Sequence, residues 1–168
     1  MTAATRTGRA RWGLFAGLAA AVVLADQLTK AWLVGLLDPG ERRSVIGDSL
    51  RIVHGQNDGA IFGLFRDQAL LFGLVSLGVV ALIVWYHHGT GRSTPVSIAL
   101  GLLLGGAVGN AIDRFRLGYV IDWVDVGIGE ARFYTFNVAD SAVTGAVLLL
   151  LLIAFLPSMT ARAGRSDA

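Results

Sequence analysis

Ile98-Ala-Leu-Gly-Leu-Leu-Leu-Gly-Gly-Ala-Val-Gly-Asn-Ala-Ile-Asp-Arg114 is the stretch on which the fold turns. Together with the residues just before it, the run 96–112 carries no charge, then stops at an acid and a base. A helix rising about 1.5 Å per residue needs about 20 residues to cross a bilayer core, so the run predicts a membrane span. Glycines at 101, 105 and 109 recur at every fourth position. That spacing lets helix backbones approach closely in lipid; the plainer alternative is glycine merely tolerated in a membrane helix. Outward from this run, three more apolar stretches predict spans at 12–37, 69–87 and 138–156. The sum is an all-α membrane protein with four transmembrane helices, one domain over 12–156 between tails 1–11 and 157–168.

Composition agrees. Of 168 residues 54% are hydrophobic and 15% charged, against roughly 25% charged in a soluble domain. A net charge of +2 is too small to argue for nucleic acid, and Arg6, Arg9 and Arg11 suit lipid head groups. Cysteine is absent, which excludes disulfides, thiolate nucleophiles and cysteine-ligated metals. The arginines followed by an apolar run mimic a cleavable secretion signal. The run continues past Asp26 and Lys30 to Leu37, however, which is longer than a signal's apolar core.

Four spans put both termini and the short loop after residue 87 on one side, and the loops 38–68 and 113–137 on the other. Arginine counts of six against seven do not orient the chain by the positive-inside rule. The three arginines ahead of the first span favour cytoplasmic termini. Within the first long loop, Ser49-Leu-Arg-Ile-Val-His54 alternates imperfectly and meets the turn signal Gln56-Asn-Asp-Gly59. It predicts a small β-element on the membrane surface, extended by 116–123.

Ionisable groups in membrane segments cost about 2.5–3.5 kcal/mol each on insertion scales and are functional candidates by default. Asp26 and Lys30, four apart with the acid first, share a helix face as a neutralising pair. Asn110-Ala-Ile-Asp113 and Asn137-Val-Ala-Asp140 repeat one Asn-x-x-Asp pattern at the two ends of the last long loop. Arg114 can neutralise the adjacent Asp113. Asp140 has no such neighbour and also reads as the third residue of a helix capped by Asn137. Tyr119-Val-Ile-Asp-Trp-Val-Asp125 adds Asp122 and Asp125, which read either as site residues or as a surface loop with interfacial aromatics. Setting aside the acids with a nearby cation leaves Asp122 and Asp140, which only the tertiary fold can bring together.

Two adjacent carboxylates share a proton, since both cannot easily ionise. One can activate a water while the other hydrogen-bonds a substrate carbonyl, which is peptide hydrolysis by general acid–base catalysis. No HExxH or Gly-x-Ser-x-Gly appears. A serine–lysine dyad would need Lys30 with Ser141 or Ser76, but Asp26 would hold that lysine protonated.

Asp26-Gln-Leu-Thr-Lys30, Asn57-Asp-Gly-Ala-Ile-Phe62, Gly105-Gly-Ala-Val-Gly-Asn-Ala-Ile-Asp-Arg114, Val120-Ile-Asp-Trp123 and Phe136-Asn-Val-Ala-Asp-Ser141 resemble, in order and spacing, the motifs of the lipoprotein signal peptidase (signal peptidase II) family. The resemblance implies an aspartic endopeptidase of the bacterial cytoplasmic membrane, monomeric and without cofactor or metal. Its implied partners are membrane lipids and a prolipoprotein whose cysteine carries a diacylglyceryl group, cut just before that cysteine. It places the catalytic dyad on Asp122 and Asp140. Asn57, Gly59, Asn110, Asp113, Arg114, Asn137 and Ala139 match positions that line or brace the site, with Asp26 and Lys30 as structural support. It also implies cytoplasmic termini, a dyad at the extracytoplasmic face and a β-cradle over the substrate. Ile61 departs from the pattern, where the family has a small residue. Two other classes stay open on the residues alone: a small transporter or proton-coupled channel, and a membrane scaffold.

Overall fold

The computed structural model describes residues 10–59, 68–91 and 93–156. The C-terminal tail, Ile61 and all but the last two residues of the N-terminal tail lie outside them. Four helices, α1 (Trp12–Val34), α2 (Ala69–Thr90), α3 (Thr94–Leu117) and α4 (Val138–Phe155), are each long and apolar enough to cross a membrane.

The central helix is α3, which packs on α1, α2 and α4. Its glycines explain the position. A Cβ on Gly105 would fall 2.8 Å from the Ala19 carbonyl oxygen on α1, and one on Gly106 would fall 2.6 Å from a Val143 methyl on α4. Both distances are below van der Waals contact, so the two neighbours reach α3 only because these side chains are missing. Near one end of the helices Phe15, Ile83 and Leu100 form a buried cluster. Leu33, Leu37 and Ile121 form another, which fastens the extramembrane part to α1.

That part is an antiparallel sheet in the order β1 (Arg42–Ile46), β2 (Leu50–Asn57), β3 (Val120–Ile128), β4 (Ala131–Arg132). It stands where α1 and α3 end and α2 and α4 begin. His54 Nδ1 lies 2.9 Å from the Leu37 carbonyl and ties β2 to the chain leaving α1.

Helix boundaries differ from those expected. The first helix ends at Val34 rather than 37. The third runs on to Leu117, so Asp113 and Arg114 are helical. Arg114 and Arg116 stand near its carbonyl end, which favours cations, and Gly118 closes it in the left-handed conformation at φ 79°. The second reaches Thr90 and the fourth ends at Phe155. The hairpin turn falls at Gly47, with φ 48°, not at Gln56–Gly59, where β2 ends. Strand β1 was not expected from the sequence because every one of its residues is exposed and it shows no alternation to read.

Candidate active site

Asp122 sits on β3, paired across the sheet with Gly55. Beyond β4 the chain returns, and the Phe136 backbone bonds to that of Val124, donating at 3.1 Å and accepting at 2.8 Å. The next residue, Asn137, caps α4: its side-chain oxygen accepts the Asp140 N–H at 2.9 Å, while Asp140 Oδ2 accepts the Asn137 N–H at 3.1 Å. This reciprocal capping box fixes Asp140 at the start of α4, one strand pairing away from Asp122. The capping reading of Asp140 is met, and its other oxygen is left to face Asn110.

Asparagine amides bracket both acids. Asn137 Nδ2 donates to Asp122 Oδ1 at 2.8 Å, and Asn57 Nδ2 to Asp122 Oδ2 at 3.0 Å. The Gly59 N–H donates to Asn57 Oδ1 at 3.2 Å, which turns the amide nitrogen of Asn57 towards Asp122. Asn110 Nδ2 donates to Asp140 Oδ1 at 2.8 Å. Ala139 is fully buried, and its N–H donates to Asp26 Oδ1 at 3.1 Å. Beneath these two acids Lys30 bonds to Asp26 at 2.8 Å, to Asp113 at 2.8 Å and to Asn110 at 3.2 Å. Asp113 also accepts from Gln27 and from the Ile121 N–H.

Burial, and then the nearby charge of Asp140, push the Asp122 carboxyl up to about 7, against the opposing pull of the Asn57 and Asn137 donors and of Lys30. A carboxyl so placed is about half-protonated near neutrality.

A family model described as signal peptidase (SPase) II matches residues 18–156. The chain belongs to the signal peptidase II family. It is 39% identical over 143 residues to a lipoprotein signal peptidase of Syntrophomonas wolfei, covering 84% of this chain and 91% of that one. To the lipoprotein signal peptidase of Caulobacter vibrioides it is 42% identical over 163 residues, covering 90% of each. A solved bacterial membrane enzyme structure obtained by the in meso method superposes with a TM-score of 0.81 at 29% identity, covering 96% of both chains. A second gives 0.78 at 28% identity, covering 96% of this chain and 98% of that one.

As a signal peptidase II, the protein is a protease of the bacterial inner membrane. The structure corrects one expectation about its charges and extends another. The cation at Asp113 is Lys30 rather than Arg114, whose guanidinium carbon lies 5.9 Å over the Phe72 ring of α2. Asp26 and Lys30 form the expected pair at 2.8 Å, and the same lysine also serves Asp113 on a second helix. Ser141 and Ser76 hydroxyls donate to the Asn137 and Phe72 carbonyls, so neither engages Lys30. Asp125 is bound by Arg132 at 2.6 Å instead of joining Asp122 and Asp140.

Two residues of this signal peptidase II were missed in the sequence. Gln27 bridges Asp26 and Asp113 at 3.2 and 2.9 Å; its position beside Asp26 was the available signal. Gly55 gave none. A Cβ there would fall 2.9 Å from the Asp122 backbone oxygen, so β2 approaches the dyad strand only through glycine. Gly55→Ala is expected to shift Asp122 and lower kcat about 10–100-fold, since displacements of about 1 Å cost on that order. Kinetics on protein verified by thermal melting check this.

Proposed function

We propose that this peptidase is an aspartic endopeptidase that removes the signal peptide from diacylglyceryl-modified prolipoproteins, cutting just before the lipidated cysteine. The observation that supports it is the pair of carboxyls, buried Asp122 and part-buried Asp140, held between three asparagine amides at the sheet end of the helices. Each acid accepts two hydrogen bonds, but Asp140 is the better placed anion because it stands at the positive end of α4. Asp122 then carries the shared proton.

In this reading a water between them loses a proton to Asp140 as it attacks the scissile carbonyl. Asp122 donates to the carbonyl oxygen, which becomes a hydroxyl of the tetrahedral intermediate. On collapse Asp140 gives its proton to the leaving nitrogen and the hydroxyl returns its proton to Asp122, restoring both acids with no covalent enzyme intermediate. The sheet end faces the extracytoplasmic side, where the substrate's cysteine lies. Exposed apolar side chains along α2, such as Leu70, Leu74 and Trp85, meet lipid.

The assignment has a sign in pH. Asp122 must be protonated, and its carboxyl in the free enzyme is pushed up to about 7, so kcat/KM is expected to fall as pH rises and to pass half-maximum near that value. A pH–rate profile between about pH 5 and 9 on a lipidated prolipopeptide tests it; a profile flat to the alkaline end contradicts the role given to Asp122.

A further inference from the structure

Lys30 is the chain's single lysine and only 2% exposed. An ammonium has three N–H donors and no acceptor. Its three partners are Asp26 Oδ2 and Asp113 Oδ2, both at 2.8 Å, and Asn110 Oδ1 at 3.2 Å. Two carboxylates already more than balance one cation, so the contact with a neutral amide adds little to charge neutrality. Its consequence lies with the amide. Because the ammonium can only donate, the atom of Asn110 facing it must be the oxygen. Asn137 Nδ2 donates to that same oxygen at 3.1 Å. The nitrogen of Asn110 is thereby committed to Asp140 Oδ1, 2.8 Å away. A flipped amide would set its NH2 against the ammonium and against the Asn137 NH2, and its oxygen against a carboxylate.

We propose that Lys30 is a positioning residue for the dyad, locking the Asn110 amide so that a donor always faces Asp140. This rests on the aspartic reading above and adds to it a division of labour. Asn137, which serves Asp122, is oriented by its own cap bond to the Asp140 N–H. Asn110, which serves Asp140, has no backbone cap to orient it; its oxygen is held by the lysine of another helix together with the Asn137 amide, which is itself shared with Asp122 and the Ile121 carbonyl. The charged groups gathered around this lock are Asp26 on α1, Asp113 and Arg114 on α3, Asp140 on α4 and Asp122 on β3.

The test uses a charge-balanced pair, Lys30→Met with Asp26→Asn. It leaves the net charge of the Lys30–Asp26–Asp113 cluster unchanged, and the new asparagine oxygen can still accept from the Ala139 N–H. In purified, full-length protein this pair is expected to melt cooperatively, keep KM within about twofold and lose kcat about 10–100-fold, as for a catalytic group left misaligned. Asn110→Ala in the wild type is expected to lose a similar factor, and in the balanced pair to lose nothing more, because both changes remove one interaction. A folded pair with near-normal kcat, or losses that multiply, overturns the proposal. If the pair does not fold, Lys30→Met with Asp113→Asn repeats the design. If neither folds, Lys30 is a determinant of the fold and the proposal falls. Asp140→Asn, measured alongside, keeps the two readings apart: an active Asp140→Asn sinks the aspartic mechanism, whereas an inactive one with a multiplicative cycle sinks only the role of Lys30.

Discussion

Asp122→Asn and Asp140→Asn are each expected to lower kcat for a lipidated prolipopeptide by about 10³–10⁴-fold, near the upper range for losing a general acid or base. An amide at 140 cannot take a proton from water, and one at 122 cannot give a proton up to the tetrahedral intermediate. The two variants should nonetheless differ in stability. Both oxygens of Asp122 accept from amide NH2 groups. An asparagine there sets one NH2 against another, but Asn57 can turn over at the cost of its bond to Gly59. At 140 the donors are the Asn137 backbone N–H and the NH2 of Asn110. Neither can turn, the second because Lys30 holds it. Asp140→Asn should therefore melt lower, by about 1–3 kcal/mol for an unrelieved buried donor, and Asp122→Asn by less. Thermal melts beside single-turnover cleavage read both effects.

Lys30→Met on its own is expected to destabilise the protein by about 3–5 kcal/mol, the range for breaking a buried ion pair from one side. Asp26 and Asp113 are 0% and 2% exposed and would be left facing each other with no cation at hydrogen-bond distance. The methionine stem fills the lysine's volume, so the loss would be electrostatic rather than a cavity. Removing one of the two acids as well should recover much of it. Differential scanning fluorimetry in detergent checks this, and a single variant that melts like the wild type would mean that water reaches these carboxylates.

The four helices were legible because a membrane span declares itself by an unbroken apolar run, a signal local in sequence. Their ends were less so. Asp113 and Arg114 looked like loop residues, since charges usually mark the edge of a span, yet the helix carries them a further turn on Lys30 and the Gly118 cap. At the site, asking which acids lacked a neighbouring cation singled out Asp122 and Asp140, the two that the fold brings to the Asn110–Asn137 pair. The same question misjudged Asp113, because proximity in sequence pointed to Arg114 while the partner lay on α1. Strand β1 and the close approach of Gly55 to Asp122 were invisible for one reason: each is defined by what lies across the sheet, and nothing in the local pattern records that.

The most direct test of the account is to incubate the purified protein with a diacylglyceryl-modified prolipopeptide and identify the products by mass spectrometry. The account expects one cut, immediately before the lipidated cysteine, made by the wild type and by neither Asp122→Asn nor Asp140→Asn. An intact substrate, or cleavage that survives in either folded variant, would contradict it.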